Sequence, residues 1–78
     1  MIVYIIRSEI IKDRYYVGLT SNIGTRLEEH NTGQVRWTMP YRPWQLEVFF
    51  SFRDDTKARE FERYLKTGSG RAFCKRHF

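Results

Sequence analysis

"RYYVGLTSN", residues 14–22, joins a β-type segment to a run of residues that begin helices. Its first six residues are rich in aromatic and β-branched side chains, which predicts a strand. The apolar segment 2–7 shows no alternation and predicts another strand, covered on both faces and therefore central in its sheet. Turn-type residues between the two segments indicate an antiparallel hairpin. Gly18, near the end of the later strand, indicates either a bulge or close approach by another group.

The elements predicted after the hairpin are a helix over about 22–30, an ordered loop over 34–44 and a third strand over 46–52. Asn22 can cap the helix. The loop holds two prolines and three large aromatic residues, and we expect it to pack beneath those aromatic side chains, with a partner surface as the alternative. Alternation in the third strand assigns one face to four apolar residues: Leu46, Val48, Phe50 and Phe52.

Two further helices complete the predicted fold. Asp54 and its neighbours favour a helix over about 56–66 that stops at Gly68, and Ser69 is expected to cap a third, short helix. The order β-β-α-β-α-α predicts an α+β domain, in which helices flank a small three-stranded antiparallel sheet. Because 78 residues leave room for one core of modest depth, residues 1–78 are expected to form a single domain.

The chain carries a formal net charge of +5, from 14 Lys and Arg against 9 Asp and Glu. The excess is uneven, since residues 1–52 have six basic and five acidic side chains whereas residues 53–78 have eight and four. We therefore expect the C-terminal third to contact nucleic-acid phosphates, through Arg71, Lys75 and Arg76. Proteins that bind no polyanion also carry surpluses of this size, so charge alone leaves the partner open.

Cysteine content and hydropathy exclude several classes of protein. Cys74 is the only cysteine, so an intrachain disulfide and a thiolate zinc cluster are both excluded, and the composition fits a reducing cytoplasm. The apolar run 2–6 is far too short to span a bilayer and has no basic segment before it. A cytoplasmic protein with no membrane role is expected.

Helical spacing places three polar side chains on or beside apolar stripes. Arg26 and His30 lie at the edge of the buried stripe of the first helix, and Glu62 lies on that of the second, whereas Glu60 points away. A glutamate on such a stripe costs free energy unless it is paired, hydrogen-bonded or bound to a metal. The simpler alternative is a glutamate at the edge of the stripe that forms an ion pair, with Arg26, Arg63 or Lys66 as partner.

Tyrosines in the hairpin add to this polar set. Tyr4 lies in the central strand, and because strand neighbours point to opposite faces, only one of Tyr15 and Tyr16 can share a face with the cluster. Two phenols, an arginine, a histidine and a glutamate do not resemble acyl-transfer machinery. They suit phosphodiester hydrolysis, because a carboxylate holds a hard divalent cation, arginine neutralises developing charge and a phenol or imidazole relays a proton.

The order and spacing of these residues resemble the GIY-YIG nuclease superfamily, in particular its small single-domain branch related to the N-terminal incision domain of the excision-repair nuclease. Four stretches carry the resemblance together: "VYII", "YYVGLTSN", "RLEEHNTG" and "KTGSGRAF". They extend over essentially the whole chain, and as a set they are specific although each alone is weak. The resemblance implies a metal-dependent endonuclease that acts on DNA, branched or structured DNA included, in repair or recombination.

The resemblance also implies the role of each site residue. Tyr16 would be the catalytic phenol that activates water, helped either by a nearby cation such as Arg26 or by the metal, because a free phenol has a pKa near 10. Arg26 would stabilise the transition state, Tyr4 would position water or phosphate, and His30 would bind phosphate or relay a proton. Glu62 would be the sole protein ligand of Mg²⁺ or Mn²⁺, with waters and phosphate oxygens completing the coordination.

The sequence departs from the family pattern at three points. Ile2 replaces the first glycine of the motif and Val17 replaces its later isoleucine. No lysine follows the second motif at 19–21, so Arg26 and His30 would meet the phosphate charge alone. Two alternatives stay open: a non-catalytic module that binds DNA, RNA or a partner protein, and a nuclease fragment that cuts only when joined to a targeting partner.

Overall fold

A computed structural model describes all 78 residues and contains three strands and three α-helices. The elements are β1 (Ile2–Ser8), β2 (Tyr15–Thr20), α1 (Ile23–Asn31), β3 (Trp44–Ser51), α2 (Asp55–Leu65) and α3 (Gly68–His77), with a 3₁₀ turn at Met39–Tyr41 before β3. The predicted α+β fold, its element order and its three-stranded antiparallel sheet are confirmed. No helix combines the length and the apolar composition that crossing a bilayer requires.

The sheet has the strand order β2-β1-β3, so β1 is central as its unbroken apolar sequence predicts. Val3 and Ile5 point to one face, where α2 and α3 cover them, and Tyr4 and Ile6 point to the other, where α1 packs. All four side chains are buried. The sheet is therefore the middle of three layers, and its two faces have separate cores.

A bulge in β3 changes which face its side chains occupy. Ile5 pairs with Val48 but Ile6 pairs with Leu46, so Glu47 is an extra residue in the strand. Val48 consequently packs on the α2/α3 side while Leu46 packs against Tyr4 and Ile6 on the α1 side. The prediction that Leu46 shares a face with Val48 is wrong, because regular alternation cannot reveal an inserted residue.

Capping interactions set the helix boundaries. The Asn22 side chain accepts a hydrogen bond from the Thr25 amide at 3.0 Å and begins α1 as predicted. Gly33, at a φ of +83°, ends the helix in the left-handed conformation that glycine tolerates. Its amide and that of Gln34 return to the carbonyls of His30 and Glu29, which together form a Schellman motif.

The third helix begins earlier than predicted. Thr67 caps it, since its hydroxyl accepts from the Gly70 amide at 3.1 Å, and Gly68 is its first residue and not the stop of α2. Gly70 lies so close to α2 that a Cβ atom there would be 2.0 Å from the Tyr64 carbonyl oxygen. The prediction of Ser69 as cap is wrong because this helix–helix contact fixes the start of α3.

The loop between α1 and β3 is ordered by two of its aromatic residues. Trp44 is buried, and the Tyr41 ring packs edge-on against it with 6.5 Å between ring centroids. The Trp44 indole donates a hydrogen bond of 2.8 Å to the Thr38 carbonyl. Trp37, in contrast, is 81% exposed, so the prediction that this loop packs beneath its aromatic residues holds for two of the three.

Candidate active site

Gly18 makes room for the first tyrosine of the site. It pairs with Tyr4 across the sheet, and a Cβ atom at Gly18 would lie 2.3 Å from both Cζ and Oη of that tyrosine. The Tyr4 ring therefore lies directly over the β2 backbone, a position that any larger residue at 18 would block. The close approach that the sequence indicates is made by this ring.

A chain of hydrogen bonds runs from Tyr4 through the interior beneath α1. Arg26 Nε donates to Tyr4 Oη at 3.3 Å, and Tyr4 Oη lies 2.7 Å from His30 Nε2. The other ring nitrogen, His30 Nδ1, lies 2.7 Å from Thr38 Oγ1. Tyr4 and His30 are 0% exposed and Thr38 is 1% exposed. The structure thus places Tyr4 one hydrogen bond behind Arg26, and His30 two behind it.

Burial keeps the side chains of this hydrogen-bond chain uncharged, except for Arg26. Burial lowers the pKa of His30 to about 4, with a further contribution from the Arg26 charge, so the imidazole is neutral at pH 7. Burial also raises the pKa of the Tyr4 phenol, although the hydrogen bond from Arg26 opposes that effect. His30 therefore adds no positive charge to the site at neutral pH.

Arg26 is the charged end of the chain and is held on two sides. Its Nη1 donates to Glu29 Oε1 at 3.0 Å while its Nε bonds Tyr4, and the Glu29 bond raises the pKa of Arg26 further. Its Nη2 makes no hydrogen bond within the protein, and the side chain is 34% exposed. The arginine bonds the phenol of Tyr4, and no hydrogen bond joins it to that of Tyr16.

Tyr16 shares the face of Tyr4, as the strand alternation predicts for one of the two adjacent tyrosines. Its ring centroid lies 5.0 Å from that of His30 and 6.3 Å from that of Tyr4. The partly exposed Tyr16 has a hydroxyl that makes no hydrogen bond within the protein. Tyr15 points to the opposite face, where Arg7 lies 4.5 Å above its ring and donates to its hydroxyl at 2.8 Å.

Glu62 makes no direct contact with the cluster around Tyr4, Tyr16 and His30, and a lysine lies between them. Glu62 lies on α2, which packs against β1 and β2, and its side chain is 19% exposed. The carboxylate forms an ion pair with Lys66 one turn later, which is one of the alternatives that the sequence left open. Lys66 Nζ in turn lies 5.9 Å from the Tyr16 ring centroid. The carboxylate is therefore neither turned to solvent nor bonded to Arg26.

A family model described as the GIY-YIG catalytic domain matches residues 1–75. The chain belongs to the GIY-YIG family. This membership confirms the resemblance inferred from the sequence and indicates a nuclease-type function. No curated protein and no solved structure gives a match to the chain.

The residues present fit a metal that takes one ligand from the GIY-YIG domain. No group of three or more His, Cys, Asp and Glu side chains is arranged to hold an ion, so Glu62, the ligand that the family resemblance implies, would act as a lone carboxylate donor. Mg²⁺ is commonly bound through one or two carboxylates, with waters and substrate phosphates as the other ligands. Lys66 would have to move from the carboxylate, or share it, for an ion to bind.

A basic cleft of about 610 Å³ opens beside Tyr16. Its apolar floor includes Val17 and Leu65, and Asp13 is its one acidic residue. Four cationic side chains line it: Arg14, Lys66, Arg71 and Lys75. Two of the three residues predicted to contact nucleic acid, Arg71 and Lys75, therefore line a common space next to Tyr16. Arg76 is not among the lining residues.

Sequence reasoning missed Thr38, Lys66 and Arg14 as members of these sites. Thr38 lies in a loop without periodicity, so no spacing rule connects it with His30. The sequence does indicate a contact for Lys66, since it follows Glu62 by one helical turn and is one of its possible ion-pair partners, but not its place beside Tyr16. Arg14 precedes β2, and its place in the cleft depends on where α3 packs.

Proposed function

We propose that this protein is a divalent-metal-dependent endonuclease that hydrolyses phosphodiester bonds in DNA. The proposal is supported by one observation above all. Within the cluster around His30, the Tyr16 hydroxyl and Arg26 Nη2 are the two hydrogen-bond donors without a partner in the protein. A substrate phosphate and the attacking water are the partners that such groups take in a nuclease.

In this proposal each residue has a role that its contacts allow. Arg26 Nη2 binds a non-bridging phosphate oxygen and stabilises the charge that develops in the transition state. Tyr16 orients the attacking water and, as the phenolate, accepts its proton to become the neutral phenol. Tyr4 and His30, both fully buried, hold the arginine in place. Glu62 would hold Mg²⁺ or Mn²⁺, which supplies Lewis-acid polarisation of the phosphate when bound.

Lys66 compensates in this proposal for the lysine that the second motif lacks. The sequence suggested that Arg26 and His30 would meet the phosphate charge alone, but a neutral His30 cannot contribute. Lys66 approaches the Tyr16 ring to 5.9 Å from a different element, the end of α2. Its ammonium group can therefore bind a phosphate that lies beside Tyr16.

The basic cleft gives the DNA a path away from the cleavage point. Arg71 and Lys75 would bind phosphates that flank the scissile bond, and Arg14 would join them. Contacts of this kind fix the register of the strand without reading its sequence. The proposal includes a role in DNA repair or recombination. It also includes action as a single domain, which would bind DNA through these contacts without reading its sequence.

A second candidate is a binding module that uses the same surface without cleavage. The ion pair between Glu62 and Lys66 favours it, because the pair neutralises the one carboxylate available to a metal. The related form is a nuclease that cuts only with a targeting partner. Both would bind DNA through the cleft, with an affinity that falls steeply as salt rises.

Cleavage assays with matched variants separate these functions. Plasmid, branched and single-stranded DNA are incubated with the protein in Mg²⁺, in Mn²⁺ and in EDTA. We expect cleavage that needs the metal and is lost in Glu62→Gln and Tyr16→Phe, but kept in Glu60→Gln, whose carboxylate is on the exposed side of the same helix. If no DNA is cut, and the protein binds DNA with a salt-sensitive affinity that none of the three substitutions changes, the binding module is supported instead.

A further inference from the structure

The hydrogen-bond chain behind Arg26 has a direction that can be assigned from donors and acceptors alone. A guanidinium group only donates, so Arg26 Nε–H uses Tyr4 Oη as its acceptor. The hydroxyl hydrogen of Tyr4 then needs an acceptor, and at 0% exposure no solvent supplies one. His30 Nε2, at 2.7 Å, is the partner within reach. Nε2 must therefore be the unprotonated nitrogen of the ring.

The same accounting places the imidazole hydrogen on the side of Thr38. A neutral imidazole with a bare Nε2 carries its hydrogen on Nδ1, and this N–H donates to Thr38 Oγ1 at 2.7 Å. The Thr38 hydroxyl donates in turn to the Val35 carbonyl at 3.3 Å. Every hydrogen then has an acceptor. The other tautomer would leave the buried Tyr4 hydroxyl facing two donors with no acceptor for its own hydrogen.

Thr38 is itself held firmly in place. The Trp44 indole donates to its carbonyl at 2.8 Å, and its amide donates to the Val35 carbonyl at 3.2 Å. Trp44 is 3% exposed and begins β3, so this anchor belongs to the sheet and not to the loop alone. The Thr38 hydroxyl therefore sits at a fixed position relative to His30.

We propose that Thr38 is a positioning residue of the site: it holds His30 in the Nδ1–H tautomer and, through Tyr4, orients the Arg26 guanidinium toward the substrate. This inference rests on the proposed nuclease function for its catalytic consequence, but not for the tautomer itself. Thr38 touches no substrate. It acts by keeping Nε2 an acceptor, so that the Tyr4 oxygen stays available to Arg26 and Nη2 stays pointed at a phosphate.

The tautomer is measured directly on the unliganded wild-type protein. ¹⁵N chemical shifts and N–H couplings of the His30 ring at neutral pH should show a protonated Nδ1 and a bare Nε2. The other histidine, His77, is exposed, and His77→Gln assigns the resonances. A His30 ring protonated on Nε2, or on both nitrogens, would overturn the proposal without any use of DNA.

The catalytic consequence is measured with two variants of Thr38. Thr38→Val keeps the shape but removes the acceptor, and should lower kcat by about tenfold with little change in KM, since one oriented hydrogen bond is lost. In this variant the His30 ring should shift toward the Nε2–H tautomer. Thr38→Ser keeps the hydroxyl and should retain both the tautomer and most of the rate. Thr25→Val, at an exposed hydroxyl of α1, is the control.

The outcomes separate this inference from the proposed function. If the Ser and Val variants lose rate equally, or only in proportion to lost thermal stability, Thr38 is a packing residue and the inference is overturned. If the wild-type ring has the expected tautomer but the protein cuts no DNA under any condition, the nuclease proposal fails while the assignment of Thr38 and His30 is supported.

Discussion

The two faces of the sheet are built from different materials. On the α2/α3 side, the buried core consists of Val3, Ile5, Ala58, Leu65 and Cys74, surrounded by phenylalanine rings. On the α1 side, the strand positions in between carry Tyr4 and Ile6, and a buried polar chain occupies much of the interior. No buried side-chain polar atom lacks a hydrogen-bond partner. One face stabilises the fold by apolar burial, and the other orients a site at the expense of apolar contacts.

This difference between the two faces explains how a chain of 78 residues can bury a polar hydrogen-bond chain. Residues 2–6 of β1 are apolar on both sides except for the phenol of Tyr4, and the α2/α3 side holds the larger cluster of buried hydrophobic residues. The polar chain can then be tolerated because each member is satisfied by its neighbour. Changes in the polar hydrogen-bond chain beneath α1 should therefore lower activity beyond any loss of stability, whereas changes in the buried apolar core under α2 and α3 should act mainly through stability.

The largest expected effect is on the α1 side, at Arg26. Arg26→Ala removes the guanidinium that faces the phosphate and should lower kcat on the order of 10²- to 10³-fold, about 3–4 kcal/mol of transition-state stabilisation. Single-turnover cleavage kinetics with saturating protein measure this. Arg26→Lys keeps the charge but cannot bond Tyr4 and Glu29 together, so its rate should be intermediate. A fully active Arg26→Ala would remove the arginine from the mechanism.

A smaller effect should appear in the pH dependence of stability. Burial lowers the pKa of His30 to about 4 in the folded protein, whereas the unfolded chain takes up this proton near pH 6.5. The neutral His30 ring therefore makes its full contribution to the free energy of unfolding above pH 6.5. This contribution, about 3 kcal/mol in total, is lost as the pH falls toward 4.

Urea unfolding between pH 7.5 and 4 measures this dependence. His30→Gln is less stable overall, but it lacks the imidazole and should show a flatter curve over the same interval, after the carboxylates that both proteins share are accounted for. Equal slopes for the two proteins would show that His30 is not held neutral by the α1 side of the fold.

The smallest effects come from a matched pair of glycines, one on each side. Gly18→Ala places a Cβ 2.3 Å from the Tyr4 ring, and Gly70→Ala places one 2.0 Å from the Tyr64 carbonyl oxygen. Each should cost about 1–3 kcal/mol of unfolding free energy, measured by urea titration. Gly18→Ala should also reduce the cleavage rate of the folded fraction, because Tyr4 must move. A folded fraction of Gly70→Ala whose cleavage rate at saturating DNA is impaired as much as that of Gly18→Ala would contradict the division between the two cores.

Much of the fold could be predicted from the sequence because its signals are local. Apolar runs, alternation and cap residues placed all three strands and α1 and α2 close to their observed bounds. The bulge at Glu47 and the start of α3 could not be predicted, because a strand pairing and a helix–helix contact determine them. Both are tertiary effects that no short window of sequence contains.

The site divides in the same way. Alternation showed that only one of Tyr15 and Tyr16 faces the cluster, and helical spacing chose Glu62 over Glu60. The partner of each side chain was beyond such rules: Arg26 bonds Tyr4, and Glu62 meets Tyr16 only through Lys66. These pairings depend on how α1 packs over β1 and how α2 packs against β1 and β2, which are tertiary contacts.

The adjacent tyrosines of β2 offer the most direct test, since they carry the same chemistry to opposite faces of the sheet. The measurement is the initial rate of DNA cleavage by Tyr16→Phe and by Tyr15→Phe in Mg²⁺, with folding checked by thermal unfolding. The α1-side site predicts that Tyr16→Phe loses cleavage while remaining folded, and that Tyr15→Phe, whose hydroxyl only accepts from Arg7, still cuts. Unimpaired cleavage by Tyr16→Phe would contradict that site.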